Sequence, residues 1–428
     1  MTHHFSYQND TLCVEGLPLT DIADQYGTPL YVYSRAALTD HYLAYARACE
    51  AHQYPDAPAQ ICYSVKSSAT LAILHLLSRL GAGFDIVSGG ELARVMAAGA
   101  DPQKVVYSGV GKTANEIRYA LSQDILCFNV ESLAELHRIN RIAGDMGQVA
   151  RIAFRVNPDV DPHTHPYIST GLRENKFGIP HEEALSCYRI ARDLPHVQII
   201  GIDCHIGSQL LDDAPLVAAL HRLIFLCDQL EAEGISLRHL DLGGGLGIAY
   251  RDEKTISVGE HIARIYDIVR RWRQTRHQGK PIRLIWEPGR SVSGNAGILL
   301  TEIQYEKSNA ATRYLIVDAA MNDLLRPAMY EAWHDVLPLV RRVGNPQTYD
   351  IVGPICESGD WLAKNRALTV REGDRLAILS AGAYGMSMAS HYNTRGKAAE
   401  VMVDNGRAHL IRPRETAEDL FATERIVP

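Results

Sequence analysis

Between about residues 59 and 290, short runs of β-branched and apolar side chains alternate with longer stretches whose apolar positions recur at helical spacing. Parallel strands covered by helices produce this texture, because a strand buried on both faces has no solvent side on which to place polar residues. About eight such runs stand out, at 59–66, 83–88, 105–109, 125–130, 151–157, 199–208, 237–245 and 282–289. Three of the intervening helices open with capping-box spacing: Ser88 with Glu91, Thr113 with Glu116 and Ser257 with Glu260. There a hydroxyl and a carboxylate each satisfy an amide that the first helical turn leaves without a partner. About eight strand–helix units in some 230 residues match the size of a (β/α)8 barrel, with a doubly wound open sheet as the alternative.

From about residue 300 the pattern changes to hairpin-like strands at 301–307, 313–319, 348–356 and 375–381, followed by 400–403 and 407–411. The last two flank Asp404-Asn405-Gly406, where Asn-Gly favours a tight hairpin turn. The expected fold class is therefore α/β, a TIM-type barrel followed by a mainly antiparallel β domain. Its expected divisions are an N-terminal segment 1–30, a barrel 31–295 and a C-terminal domain 296–428. The N-terminal segment contains extended runs at Thr11–Val14 and Pro29–Tyr33 that are expected to pair with the β domain. A length of 428 residues agrees with two cores, since one core rarely grows beyond roughly 300 residues.

Composition narrows the function. With 46% hydrophobic and 22% charged residues and a net charge of -7, the chain resembles an ordinary globular protein and lacks the basic surface that nucleic acid or an anionic membrane demands. The opening Met1-Thr2-His3-His4-Phe5-Ser6 has neither the basic nor the apolar region of a secretory signal, and no apolar stretch reaches the roughly 18 residues of a spanning helix. A cytoplasmic protein acting on small molecules is expected. Its eight cysteines include no C-x-x-C pair, so neither a disulfide framework nor a zinc site is expected, and most should be free and buried.

Several residues at the predicted strand ends carry chemistry. Lys66 closes the first run, at the mouth where barrel enzymes hold their reactive groups; it reads either as a solvated lysine or as an amine able to form a Schiff base. Gly243-Gly244-Gly245-Leu246-Gly247 ends the seventh run, as a tight turn or as bare amides for a phosphate. Glu287-Pro288-Gly289-Arg290 ends the eighth, where the carboxylate and guanidinium either pair or divide their work. In the second reading Glu287 holds a heterocyclic N–H, and Arg290 takes a carboxylate or phosphate through its fork of donors. His205 is either a core histidine or a flat face for a cofactor ring. Cys356, beside Glu357, is a strand end or a proton donor to a carbanion. His163 and His165 lack a carboxylate or cysteine placed to complete a metal site, and no metal is assigned. One molecule reconciles the first three: pyridoxal 5'-phosphate offers an aldehyde to Lys66, a phosphate to the glycines and a pyridine nitrogen to Glu287.

Taken together, Tyr63-Ser64-Val65-Lys66, Phe84-Asp85 to Glu91, His205 to Gln209, the glycine run, Glu287 to Arg290, Asn322 to Tyr330, Cys356-Glu357-Ser358 and Gly382-Ala383-Tyr384-Gly385 resemble the diaminopimelate decarboxylase family. That family lies in the alanine-racemase-like, fold type III group of pyridoxal-phosphate enzymes. The resemblance covers nearly the whole chain. It implies decarboxylation of meso-2,6-diaminopimelate to L-lysine and carbon dioxide, with Lys66 carrying the cofactor and His205 stacked on its ring. It further implies that Ser208 with Gly243, Gly244 and Gly245 binds the phosphate, that Glu287 pairs with the ring nitrogen, and that Asp85 and Gly289 lie in the cofactor motifs. Arg290, Arg326 and Tyr330 would hold substrate carboxylates, Glu357 the distal amino-acid end, and Tyr384 both cofactor and substrate.

A head-to-tail homodimer is also implied, with Cys356 and Glu357 reaching the partner's site and Ile168 to Gly178 lying over the pocket. The family usually reads Ala where Ser64 stands, Ala-Asn where Ser67-Ser68 stand, and often Ser-Asn where Ser390-His391 stand. Rival readings are a decarboxylase of the same fold acting on D-ornithine, D-lysine or a siderophore precursor, a racemase, and a non-catalytic pyridoxal-phosphate-binding regulator.

Overall fold

A computed structural model describes residues 4–161, 175–275, 280–309 and 311–427. The chain divides into two compact units: residues 41–248 with 254–291, and residues 1–40 with 249–253 and 292–428.

The first unit is a closed barrel. Its strands are β1 (Gln60–Ser64), β2 (Gly83–Ile86), β3 (Val105–Tyr107), β4 (Cys127–Val130), β5 (Ala150–Asn157), β6 (Val197–Asp203), β7 (His239–Asp241) and β8 (Arg283–Trp286). Each pairs in parallel with the next, and closure follows because β8 also pairs with β1, Ile285 opposite Gln60. The open-sheet alternative is thereby excluded. Inside, Cys62, Val106, Cys127, Ala153, Ile200 and Ile285 pack as one buried cluster, so the interior is filled rather than hollow.

Most strands are shorter than the apolar runs that announced them. The run 199–208 is extended only as far as Asp203, and the run 237–245 only from His239 to Asp241. The residues beyond, rich in glycine and polar groups, rise out of the ladder as the loops of the barrel's C-terminal mouth. Lys66 likewise lies past the strand, in the 3-10 turn Val65–Ser67. Of the three capping boxes, only Thr113 with Glu116 is complete. Ser88 caps the amide of Glu91, but the Glu91 carboxylate takes the amide of Val87 at 2.7 Å, one residue further back than the motif requires. Ser257 Oγ accepts from the amide of Glu260 at 3.4 Å.

The second unit is built on the long strand Gly297–Ser308, which pairs antiparallel with Leu30–Ser34, Arg313–Val317 and Arg375–Ile378. Leu30–Ser34 thus lies in this sheet and runs parallel to Ala399–Asp404 on its other edge. Thr11–Val14 forms a small meander with Phe5–Gln8 and Leu17–Pro18 and bonds the same unit through the amide of Leu12 and the carbonyl of Leu339, 2.8 Å apart. Asn405 and Gly406 both have positive φ, 49° and 71°, so the predicted hairpin turns there. Strand Trp361–Leu368, which has no clear period-2 signature, pairs with Gln347–Val352.

Leu300 lies in the core of this unit with Leu30, Val32 and Ala377, fully buried. Leu300→Ala should cost about 2–5 kcal/mol of unfolding free energy through the cavity it leaves, read as a lowered denaturation midpoint.

Candidate active site

The barrel register brings the first polar cluster together. Ser64 lies opposite Asp85 in the β1–β2 ladder, and the turn that follows β1 swings Lys66 back over both. Lys66 Nζ lies 2.5 Å from Asp85 Oδ2 and donates to Ser64 Oγ at 2.6 Å, while the serine hydroxyl donates to the same Asp85 oxygen at 2.5 Å. The lysine is therefore anchored rather than freely solvated, with about a third of its side chain exposed.

Around the mouth, His205 follows β6 and its Nδ1 accepts the amide of Gly244 at 3.2 Å. Burial, reinforced by the positive charges of Arg155 and Lys66, holds its pKa well below the usual imidazole range, so the ring is neutral with its proton on Nε2. The glycine run that follows β7 is required by geometry. Gly243 has φ +63°, and a Cβ on Gly244 would stand 2.1 Å from the Glu287 carbonyl oxygen. The amide of Gly243 donates to Asp241 Oδ1 at 3.0 Å, and the amide of Glu287 donates to the Gly243 carbonyl at 2.7 Å, stitching the loops after β7 and β8 together.

Glu287 itself is 4% exposed. Burial first, and then the charges of Asp241, Asp85 and Asp203, push its carboxyl well above the ordinary range. Its Oε1 has no hydrogen-bond partner among the described residues. Arg290, also buried, donates through Nε and Nη2 to Ser208 Oγ at 3.2 and 3.1 Å, and Gly289 packs against Ser64 and Ser67.

The second unit holds the remaining predicted residues. Arg326, buried, donates Nη1 to Nε2 of His334 at 2.9 Å, and His334 Nδ1 donates to the carbonyl of Leu379 at 2.8 Å. His334 is thus the neutral Nδ1–H tautomer. The Arg326 guanidinium also lies 4.6 Å from the centre of the Tyr250 ring. Tyr330 ends the short helix that Arg326 begins. Cys356 is the one exposed cysteine, and the other seven are free and buried. Its amide donates to Asn393 Oδ1 at 3.0 Å, and the exposed Glu357 carboxylate accepts the hydroxyl of Tyr392. Tyr384 has φ +56°, a left-handed backbone that costs a non-glycine residue about 1–2 kcal/mol and marks a constrained turn.

Sequence reasoning missed four contributors: Ser64 as a bridge between Lys66 and Asp85, the buried carboxyls Asp203 and Asp241, and His334 behind Arg326. Asp241 was visible in principle. It stands two residues before the glycine run in a strand of period 2, so a carboxyl there needed a reason to be buried. His334, eight residues beyond Arg326 in an irregular segment, carried no such signal. His163, His165 and the stretch from Ile168 to Glu174 lie outside the described residues. Of the end of that stretch, the amide of Gly178 donates to Glu131 Oε2 at 3.0 Å, and the Phe177 ring lies 4.9 Å from the Arg155 guanidinium.

The barrel residues fit pyridoxal phosphate: an anchored amine for its aldehyde, a loop of glycines without side chains at the same mouth for its phosphate, and an orphaned buried carboxylate oxygen for its ring nitrogen. The family described as "Pyridoxal-dependent decarboxylase, pyridoxal binding domain" matches residues 43–294, more than half the chain. A barrel of this kind, so matched, is that of a pyridoxal-dependent decarboxylase. Diaminopimelate decarboxylase of Vibrio cholerae is 53% identical over 426 residues, spanning 99% of both chains. Among solved structures, diaminopimelate decarboxylase of M. jannaschii in complex with L-lysine superposes with a TM-score of 0.94 at 37% identity, over 100% of this chain and 98% of that one. The Helicobacter pylori enzyme complexed with L-lysine gives 0.87 at 40% identity, over 95% and 99%. The chain belongs to the diaminopimelate decarboxylase family.

Gly244→Ala should force the loops after β7 and β8 apart. The expected outcome is a loss of pyridoxal-phosphate affinity of tenfold or more, about 1.4 kcal/mol, measured by titration of the cofactor's absorbance.

Proposed function

We propose that this chain decarboxylates meso-2,6-diaminopimelate to L-lysine and carbon dioxide, using pyridoxal phosphate. The observation that carries the site assignment is the Lys66–Asp85 contact at the mouth that also holds the glycine cradle and the orphaned oxygen of Glu287. Pyridoxal phosphate, when bound, supplies the electron sink for the pair left on Cα as carbon dioxide departs.

The chain's own residues do the rest. Lys66 Nζ carries the cofactor, and Asp85 with Ser64 fixes where that amine stands between turnovers. Ser208 and the glycine loop of Gly243, Gly244 and Gly245 would take the phosphate, and the neutral ring of His205 would cover the cofactor face without adding a second positive charge. Glu287 accepts the ring N–H and thereby keeps the ring an electron acceptor. Arg290, Arg326 and Tyr330 hold carboxylates, so that one carboxyl group alone is free to leave. Glu357 takes the distal amino-acid end, Tyr384 lies against cofactor and substrate, and the Cys356 thiol returns a proton to carbon.

The working assembly is a head-to-tail homodimer in which each copy lends Cys356 and Glu357 to the other. The exposure of both side chains supports this reading, because a thiol facing outward from its own chain is available to a second one. The compartment is the cytoplasm. The free cysteines agree with a reducing environment, and among the described residues no helix is long and apolar enough to cross a membrane.

Purified protein should release carbon dioxide from meso-diaminopimelate, with Lys66→Ala as an inactive blank. Release from D-ornithine or D-lysine but not from diaminopimelate would overturn the substrate assignment. Cys356→Ala should lower kcat by about a hundredfold or more, with a smaller change in KM. Equal mixtures of the Lys66→Ala and Cys356→Ala proteins should recover up to about a quarter of the wild-type rate, since half the dimers are mixed and each mixed dimer has one intact site. No recovery after subunit exchange would count against a shared site.

A further inference from the structure

Asp203 ends β6, Asp241 ends β7 and Glu287 follows β8, and the ladder dictates that they meet. Asp203 pairs with Asp241, and Asp241 with Ile285, two residues before Glu287. One carboxylate oxygen from each lies within 4.8 Å of the other two. The residues are 1%, 0% and 4% exposed respectively. Asp203 Oδ1, Asp241 Oδ2 and Glu287 Oε1 are all buried without a hydrogen-bond partner among the described residues.

Among the described residues, the charges that face this trio do not neutralise it. Lys66, beyond β1, is matched by Asp85 of β2, and Arg155 of β5 is matched by Glu131, beyond β4, at 3.2 Å. Cys62 of β1 and Cys127 of β4 are buried thiols whose pKa values are pushed well up, chiefly by desolvation, so they add no cation. Three adjacent ionised carboxylates without a counter-charge are untenable in such an interior, and protons must be retained there.

Geometry says where one of them sits. Asp241 Oδ1 accepts the amide of Gly243 and is therefore the carbonyl-type oxygen. A proton on Asp241 belongs on Oδ2, the orphaned oxygen. We infer that Asp241 is a positioning residue that works as a neutral acid: its Oδ2–H is donated into the trio, so that Glu287 can carry the single negative charge presented to the cofactor's ring nitrogen. This rests on the reading of Glu287 proposed above. Burial, and after it the charge of Asp85, raise the Asp241 carboxyl to about 7, against the Gly243 amide and the side chains of Glu287 and Asn129, whose hydrogen bonds lower it. Asp203 is raised well above its ordinary range by the same causes, burial first and then Asp241.

Asn at position 241 reproduces the arrangement without titrating, since its carbonyl oxygen can accept from Gly243 while its amide donates where Oδ2–H does. Asp241→Asn should therefore bind pyridoxal phosphate within about threefold of wild type near pH 6.5 with an unchanged absorbance spectrum, whereas Asp241→Ala should lose tenfold or more. The pH dependence gives a second readout. A carboxyl whose folded pKa is raised stabilises the fold at low pH and loses that contribution as pH rises through the folded value, here about 7. The thermal midpoint of the cofactor-free wild-type chain should accordingly fall more steeply between pH 5 and 8 than that of Asp241→Asn.

If Asn proves as damaging as Ala, or the two pH profiles coincide, the neutral-acid role is wrong. Should Asp241→Asn not fold, Asp203→Asn provides the same comparison of profiles. Glu287→Gln separates this inference from the one beneath it. An unaltered cofactor spectrum in that variant, together with a flattened profile in Asp241→Asn, would remove the ring-nitrogen reading and leave the retained proton standing.

Discussion

The parallel ladder of the barrel is the constraint on which the site depends. Once eight short strands close in one register, every residue at a strand end has a fixed neighbour on the next strand. Ser64 must face Asp85, and Asp203 must face Asp241. Chemistry that needs an amine beside a carboxylate, or a carboxylate beneath a ring, is then encoded as a choice of residue at a known height in the barrel. The loops beyond supply the amides, and glycine allows those loops to come within contact of each other.

This constraint explains what was legible in the chain. The strand–helix alternation of the barrel, the extended run that becomes Leu30–Ser34 and the Asn405-Gly406 turn all follow from local patterns that tertiary structure had no reason to override. Lys66, the glycine run and Glu287 were visible because reactive residue types recur at strand ends. What was hidden depends on partners distant in sequence. That Ser64 bridges Lys66 to Asp85, or that His334 backs Arg326, is settled only when separate segments are brought together. The strand ends also escaped, because apolar content persists past the last ladder bond and only hydrogen bonding tells where the strand stops.

Electrostatically, the barrel interior is an acid-rich space in which desolvation opposes every charge. Its resolution is division of labour. Lys66 and Asp85 form one matched pair, Arg155 and Glu131 another, and the remaining carboxyls crowd into a trio. His205, kept neutral at the rim by the same desolvation, avoids adding a cation that would compete for that charge. A site of this kind is arranged as much by which groups are denied ionisation as by which are granted it.

The link between Arg326 and an imidazole has a consequence of its own. The ring accepts at Nε2 and is itself tied through Nδ1–H to a main-chain carbonyl, so this partner fixes the guanidinium while adding no charge. An anion that meets Arg326 finds the fork of donors already oriented, with little left to reorganise at the moment of capture.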